Sequence, residues 1–184
     1  MKKSIIMIAI LIATTWNMRS QIYTLGADDL PKTIPAGSYL KDNTNRLNRF
    51  AGTWVFNENG QYFKITINKL LQQPFINYFT DDLYGNFIYK QNGVTISDTQ
   101  NLTGENSPIQ TVWIKNDLNL IWLEFNDPQR PKISSYVVLN YSNVGGVEKL
   151  QWKLVVTAKF SRLPNEPMPD HSIRVPLNCV LIKQ

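Results

Sequence analysis

The sequence predicts an all-β protein, an antiparallel up-and-down barrel of about eight to ten strands forming a single domain over residues 49–184. Three observations lead there. Short runs alternate apolar and polar residues with a period of two, the spacing of a half-buried strand. Reversal dipeptides divide the runs, among them Asn59-Gly60, Asn92-Gly93, Asn116-Asp117 and Gly145-Gly146, and such pairs favour tight hairpins. The chain holds 19 Asn but only 6 Ala, so a turn former is abundant and the strongest helix former scarce. With 43% hydrophobic and 18% charged residues in 184, the chain is globular and long enough to bury a sizeable core.

Residues 1–20 read as a secretory signal peptide. Lys2 and Lys3 precede the apolar run Ile5–Ala13, and a more polar stretch leads to Ser20, where cleavage is expected. A membrane helix needs about 20 apolar residues, so this run is too short to span. Export to the periplasm or out of the cell is the expected localisation. Three of the 19 basic residues and none of the 14 acidic ones fall in residues 1–20, so the remainder carries 16 and 14 and the net charge drops from +5 to +2. The basic residues are scattered, and a nucleic-acid partner is not expected. Cys179 stands alone and is read as a small buried hydrophobe without a disulfide.

Residues 21–48 read as an extended leader, because Pro31, Pro35, Gly37 and the polar stretch Lys41–Asn45 discourage regular structure. A helical turn is expected at Asn45–Phe50, capped by Asn43 or Thr44. Strands follow at Gly52–Phe56 and Gln61–Asn68, then Phe75–Phe79, Leu83–Lys90 and Val94–Ile96. After the polar loop 98–108 come Ile109–Lys115, Leu118–Phe125 and Ile133–Tyr141. The longest is Lys149–Phe160, with Trp152, Leu154, Val156, Ala158 and Phe160 on one face. A Pro-rich loop, 161–174, precedes the last strand, Val175–Lys183, with Pro176 near its start. A meander of this size closes to remove its edges, and about eight strands leave an interior that is filled or holds one small ligand.

Gly52-Thr53-Trp54, after a turn led by Phe50, resembles the Gly-x-Trp start of lipocalin-like (calycin) barrels. The resemblance implies a lipocalin-like barrel in which Gly52 and Trp54 close one end, with Trp54 under a basic residue, Lys183 or Arg174. A second resemblance covers nearly the whole chain. Phe50–Trp54, Asp127–Lys132, Leu150–Leu154 and Pro176–Gln184 are similar to segments of small exported bacterial proteins in an uncharacterised domain family. It implies export and a β-rich domain, and supplies no catalytic residue.

The stock of chemistry is narrow. His171 is the only His, and Asp170-His171-Ser172 places three triad residue types side by side, whereas a triad meets through the fold. One His and one Cys cannot supply a zinc site, and neighbouring Asp81 and Asp82 point to opposite faces if they lie in a strand. No catalytic group, cofactor or metal is expected. Glu124 shares a face with Trp122, either inside and paired to Arg130 or Lys153, or outside beside an exposed ring. The strand-borne aromatics carry the functional expectation: Trp113, Trp122, Trp152 and Tyr89 would line a site for a small apolar or sugar-like ligand. The expected protein is therefore a non-enzymatic ligand-binding barrel. The alternative is a protein-interaction or envelope accessory module with a filled core and an exposed apolar patch.

Overall fold

The computed structural model describes residues 21–114, 117–161 and 166–184. The expected signal peptide, Lys115, Asn116 and Pro164 lie outside the described residues. The strands are β1 Ile22–Thr24, β2 Tyr39–Lys41, β3 Gly52–Glu58, β4 Gln61–Phe75, β5 Tyr78–Gln91, β6 Val94–Asp98, β7 Ile109–Ile114, β8 Leu120–Phe125, β9 Ile133–Val144, β10 Val147–Lys159 and β11 Asn178–Lys183. Eight of these, β3 to β5 and β7 to β11, form a closed antiparallel barrel.

Local chemistry sets most of the hairpins. Asn59 and Gly60 turn at φ 52° and 74°, and Asn92 and Gly93 at 49° and 81°, the type I′ geometry whose twist matches the flanking strands. The two ends of the meander then meet, Lys183 opposite Trp54 and Ile182 opposite Val55. Trp54 is fully buried, its indole N–H donates to the Phe50 carbonyl at 2.9 Å, and the Lys183 ammonium lies 5.2 Å from its ring centroid. Gly52 has φ 126°, and a Cβ there would stand 3.2 Å from Lys183 Cε. Of the two basic candidates, Lys183 therefore takes the place over Trp54.

Arg174 works at the other end. Its guanidinium grips Asp127 with Nε and Nη2, the first at 2.8 Å, and also donates to Gln129 Oε1 at 2.6 Å and the Ile96 carbonyl at 3.1 Å. Arg130 pairs with Asp170, and Lys132 with Glu166 at 3.2 Å. Asp127, Arg130 and Lys132 thus tie residues 166–174 across this end of the barrel.

Several expectations are corrected. The segment Phe75–Phe79 is not a strand of its own: Phe75 ends β4, Tyr78 and Phe79 begin β5, and the reversal lies between them, with Ile76 at φ 53° and almost fully exposed. A bulge between Leu70 and Gln73 breaks the alternation of β4 there. Beyond Ile67, β4 has left its partner β3, so Pro74 removes no donor that a second neighbour would need. The leader is not wholly irregular: β1 and β2 pair in parallel, and β2 pairs in parallel with β5 at Phe79 and Thr80. A 3-10 turn forms at Arg46–Arg49, but Asp42, not Asn43 or Thr44, accepts its free amides, Arg46 and Leu47 each at 2.9 Å. A bulge between Val156 and Ala158 ends the inward series of β10, and Phe160 is exposed.

Aromatic side chains fill the barrel. Phe63 lies with its ring centroid 5.0 Å from that of Trp152, 6.0 Å from Phe87 and 6.1 Å from Tyr89. Such edge and tilted contacts add about 0.5–1.5 kcal/mol each beyond the burial of area. No helix among the described residues is long and apolar enough to cross a membrane.

Candidate functional site

The four aromatics expected to line one site lie on two sides of the barrel wall. Trp152 and Tyr89 are inside, at 0% and 8% exposure, against Phe63. Trp152 uses its indole N–H on the Pro176 carbonyl at 2.8 Å. Trp113 and Trp122 are register partners of β7 and β8 and lie outside. Trp113 is 56% exposed, and the Trp122 ring stacks on Tyr136 of β9 at 5.8 Å and 30°. Glu124 follows Trp122 to the outer face and is exposed. Where the barrel meets the segment before β11, a small, partly open hollow bordered by Phe125, Arg130, Leu154, Ser172 and Val175 measures about 10 Å³, room for about one water.

Two surface grooves flank Trp113. The first, of about 270 Å³, runs over β7 to β10 and is bordered by Trp113, Trp122, Tyr136, Glu124, Asn126, Ser134, Ser135 and Thr157. It combines flat rings with several short hydrogen-bonding side chains. Thr157 Oγ1 already donates to Ser134 at 3.0 Å, and Ser135 Oγ to the Phe125 carbonyl at 2.7 Å. Glu124 and Asn126 are the longer polar groups at its edge.

The second groove, of about 250 Å³, opens at the seam of the barrel and is bordered by Trp113, Phe75, Tyr78, Thr80, Asp81, Asp82, Leu25 and Leu40. The seam is narrow because β5 divides one edge among three partners: β2 at Phe79–Thr80, β7 at Gly85 alone, and β6 at Ile88–Gln91. Asp81 and Asp82 are both buried, at 2% and 4% exposure. Asp81 accepts from the Tyr39 hydroxyl, the Asp42 amide at 2.9 Å and the Gln72 amide at 3.1 Å. Burial, then the bond to Asp81, pushes the Tyr39 phenol up to about 12. Tyr78 and Tyr84 are also raised, first by burial and then by the charge of Asp82.

The remaining candidates are engaged in packing. Asp170 pairs with Arg130 and accepts the Ser172 amide at 2.8 Å, while His171 Nε2 lies 3.0 Å from the Phe160 carbonyl. Cys179 is buried, and that burial pushes its thiol up to about 12. Among the described residues, no group of three or more His, Cys, Asp or Glu side chains is placed to hold a metal ion. Sequence reasoning did not single out Asn126 and counted Tyr136 only as one of the strand-borne aromatics, because their places beside Trp122 follow from the pairing of β8 with β9.

No curated protein and no solved structure matches this chain. A family model described as a family of unknown function, DUF6705, matches all of it, residues 1–184, and the chain belongs to that family.

Proposed function

We propose that the protein is an exported, non-enzymatic binding protein that takes a sugar-like ligand on the outside of its barrel, in the groove over β7 to β10. The observation that carries this reading is the exposed Trp113 beside the half-buried Trp122, continued by Tyr136 and edged by Glu124 and Asn126. Flat rings match the apolar faces of a pyranose, and carboxylate and amide groups match its hydroxyls. The packed aromatics of the interior favour the outer face over the lumen. The pattern of residues 1–20 supports export, so the mature chain is expected in the periplasm or medium with Gln21 at its terminus, a mass that intact-protein spectrometry reads directly.

Tryptophan fluorescence and calorimetry against cellobiose, maltose and diacetylchitobiose test the site. One of these sugars is expected to bind saturably, and Trp122→Ala to weaken it about tenfold or more, as for a stacked aromatic anchor. No binding by any of the three, or binding that survives Trp122→Ala but not Trp152→Phe, overturns the outer site.

A further inference from the structure

The segment that leads into β1 has a chemistry that neither groove uses. Gln21 stands immediately before β1, and its side chain is exposed. Residues i and i+2 of an extended chain share a face, and there the Tyr23 hydroxyl donates to the Gln21 carboxamide oxygen, Oε1, at 2.6 Å. The backbone is fixed at the same place. The Tyr39 amide donates to the Gln21 carbonyl at 2.8 Å, next to the first register pair of β1 with β2, Ile22 and Tyr39. Residues near a chain end are ordered only where something ties them down, and Gln21 is tied by main chain and side chain alike.

We infer that Gln21, made the terminal residue by the export proposed above, is a modification site that closes on itself to pyroglutamate, with Tyr23 assisting from beside the reacting carbonyl. The α-amine freed after Ser20, in its neutral form, adds to Cδ of its own carboxamide. The bond that forms joins the α-nitrogen to Cδ. The bond that breaks joins Cδ to Nε2, which takes the proton given up by the amine and leaves as ammonia. Nucleophile and electrophile belong to one residue, so the step has the advantage of an intramolecular reaction. Negative charge gathers on Oε1 as the amine adds, and the phenol already donates to that atom. A donor aimed at developing charge lowers the barrier, by less here than in a closed site because water reaches this hydrogen bond. The ring uses the side-chain carbonyl and leaves the main-chain one in place, so the bond from Tyr39 and the start of β1 survive. Closure removes both the terminal charge and the free amine. A strand of three residues has none to spare to an aminopeptidase, since loss of Gln21 would take away the acceptor of the Tyr39 amide.

The test expresses the full chain in a bacterium that exports it, pulse-labels it with heavy amino acids and weighs the amino-terminal tryptic peptide of the mature protein at successive times. The peptide ending at Lys32 is expected to begin at Gln21 and to become lighter by one ammonia. A synthetic peptide of residues 21–32, carried through the same digestion, measures closure that occurs during handling. Tyr23→Phe keeps the ring and removes only the donor, and is expected to slow closure several-fold, with far-UV circular dichroism confirming that the barrel persists. A terminus at Gln21 with its amine still free, closure no greater than in the synthetic peptide, or equal rates in wild type and Tyr23→Phe overturns the inference and leaves export standing. A mature peptide that begins at any other residue overturns the inference together with the cleavage it depends on.

Discussion

Asp42 shows how much one side chain can organise. Its carboxylate accepts the Arg46 and Leu47 amides and the Lys69 ammonium, joining the leader to β4. Burial opposes its ionisation, but the bond from Lys69 and the two amides together outweigh that and hold its pKa below the ordinary carboxylate value. A pKa that is lower in the folded than in the unfolded state contributes stability that is present above the unfolded value, near 4, and lost as the pH falls through the folded one. Asp42→Asn is therefore expected to cost about 1–3 kcal/mol at pH 7. The difference from wild type should shrink as the pH drops below about 4, which urea denaturation at a series of pH values measures. The role of this residue was hidden in the sequence, where Asn43 and Thr44 are equally good helix caps and only the fold selects Asp42. Trp122 was hidden in a different way. In Leu120-Ile121-Trp122-Leu123 every side chain is apolar, so alternation cannot assign a face, and its outward direction follows from Ile121 and Leu123 being buried.

Among the elements, legibility tracks the range of the interaction. The hairpins at Asn59-Gly60, Asn92-Gly93 and Gly145-Gly146 were readable because both turn residues carry their own backbone preference. β1 and β2 were not, since strands of three residues among prolines exist only by leaning on β5. Phe75–Phe79 was misread because the bulge at Leu70–Gln73 erased the period that would have shown β4 continuing. The β5–β7 seam also depends on contact rather than pattern. A Cβ on Gly85 would stand 3.0 Å from the Thr66 carbonyl oxygen and 3.3 Å from Ile109 Cβ and Ile67 Cγ1, so the strands close only around a residue without a side chain. Gly85→Val is expected to cost about 1–3 kcal/mol by overpacking, read as a lower midpoint in chemical denaturation. It should also speed amide exchange in β7 more than in β10, because the seam opens first.

The molecule as a whole is a filled barrel whose two ends are closed by different means. Cation and ring, Lys183 over Trp54, cover one end, and a desolvated ion pair, Arg174 with Asp127, secures the other. Removing the cation from such a pair leaves a buried carboxylate without its partner. Arg174→Met is thus expected to destabilise the protein by about 3–5 kcal/mol, whereas Lys132→Met, which breaks the more exposed pair with Glu166, should cost under about 1 kcal/mol. Thermal denaturation of the two variants side by side checks the contrast. Equal losses would mean that the Pro-rich segment is held by packing alone.

The pairing of β11 with β3 sets a condition on how the protein can be made. β3 pairs along one edge with β4, its neighbour in sequence, but its other edge, at Trp54 and Val55, is covered only by Ile182 and Lys183, far along the chain. Until β11 pairs there, that edge of β3 is a free sheet border, of the kind that can stick to other chains.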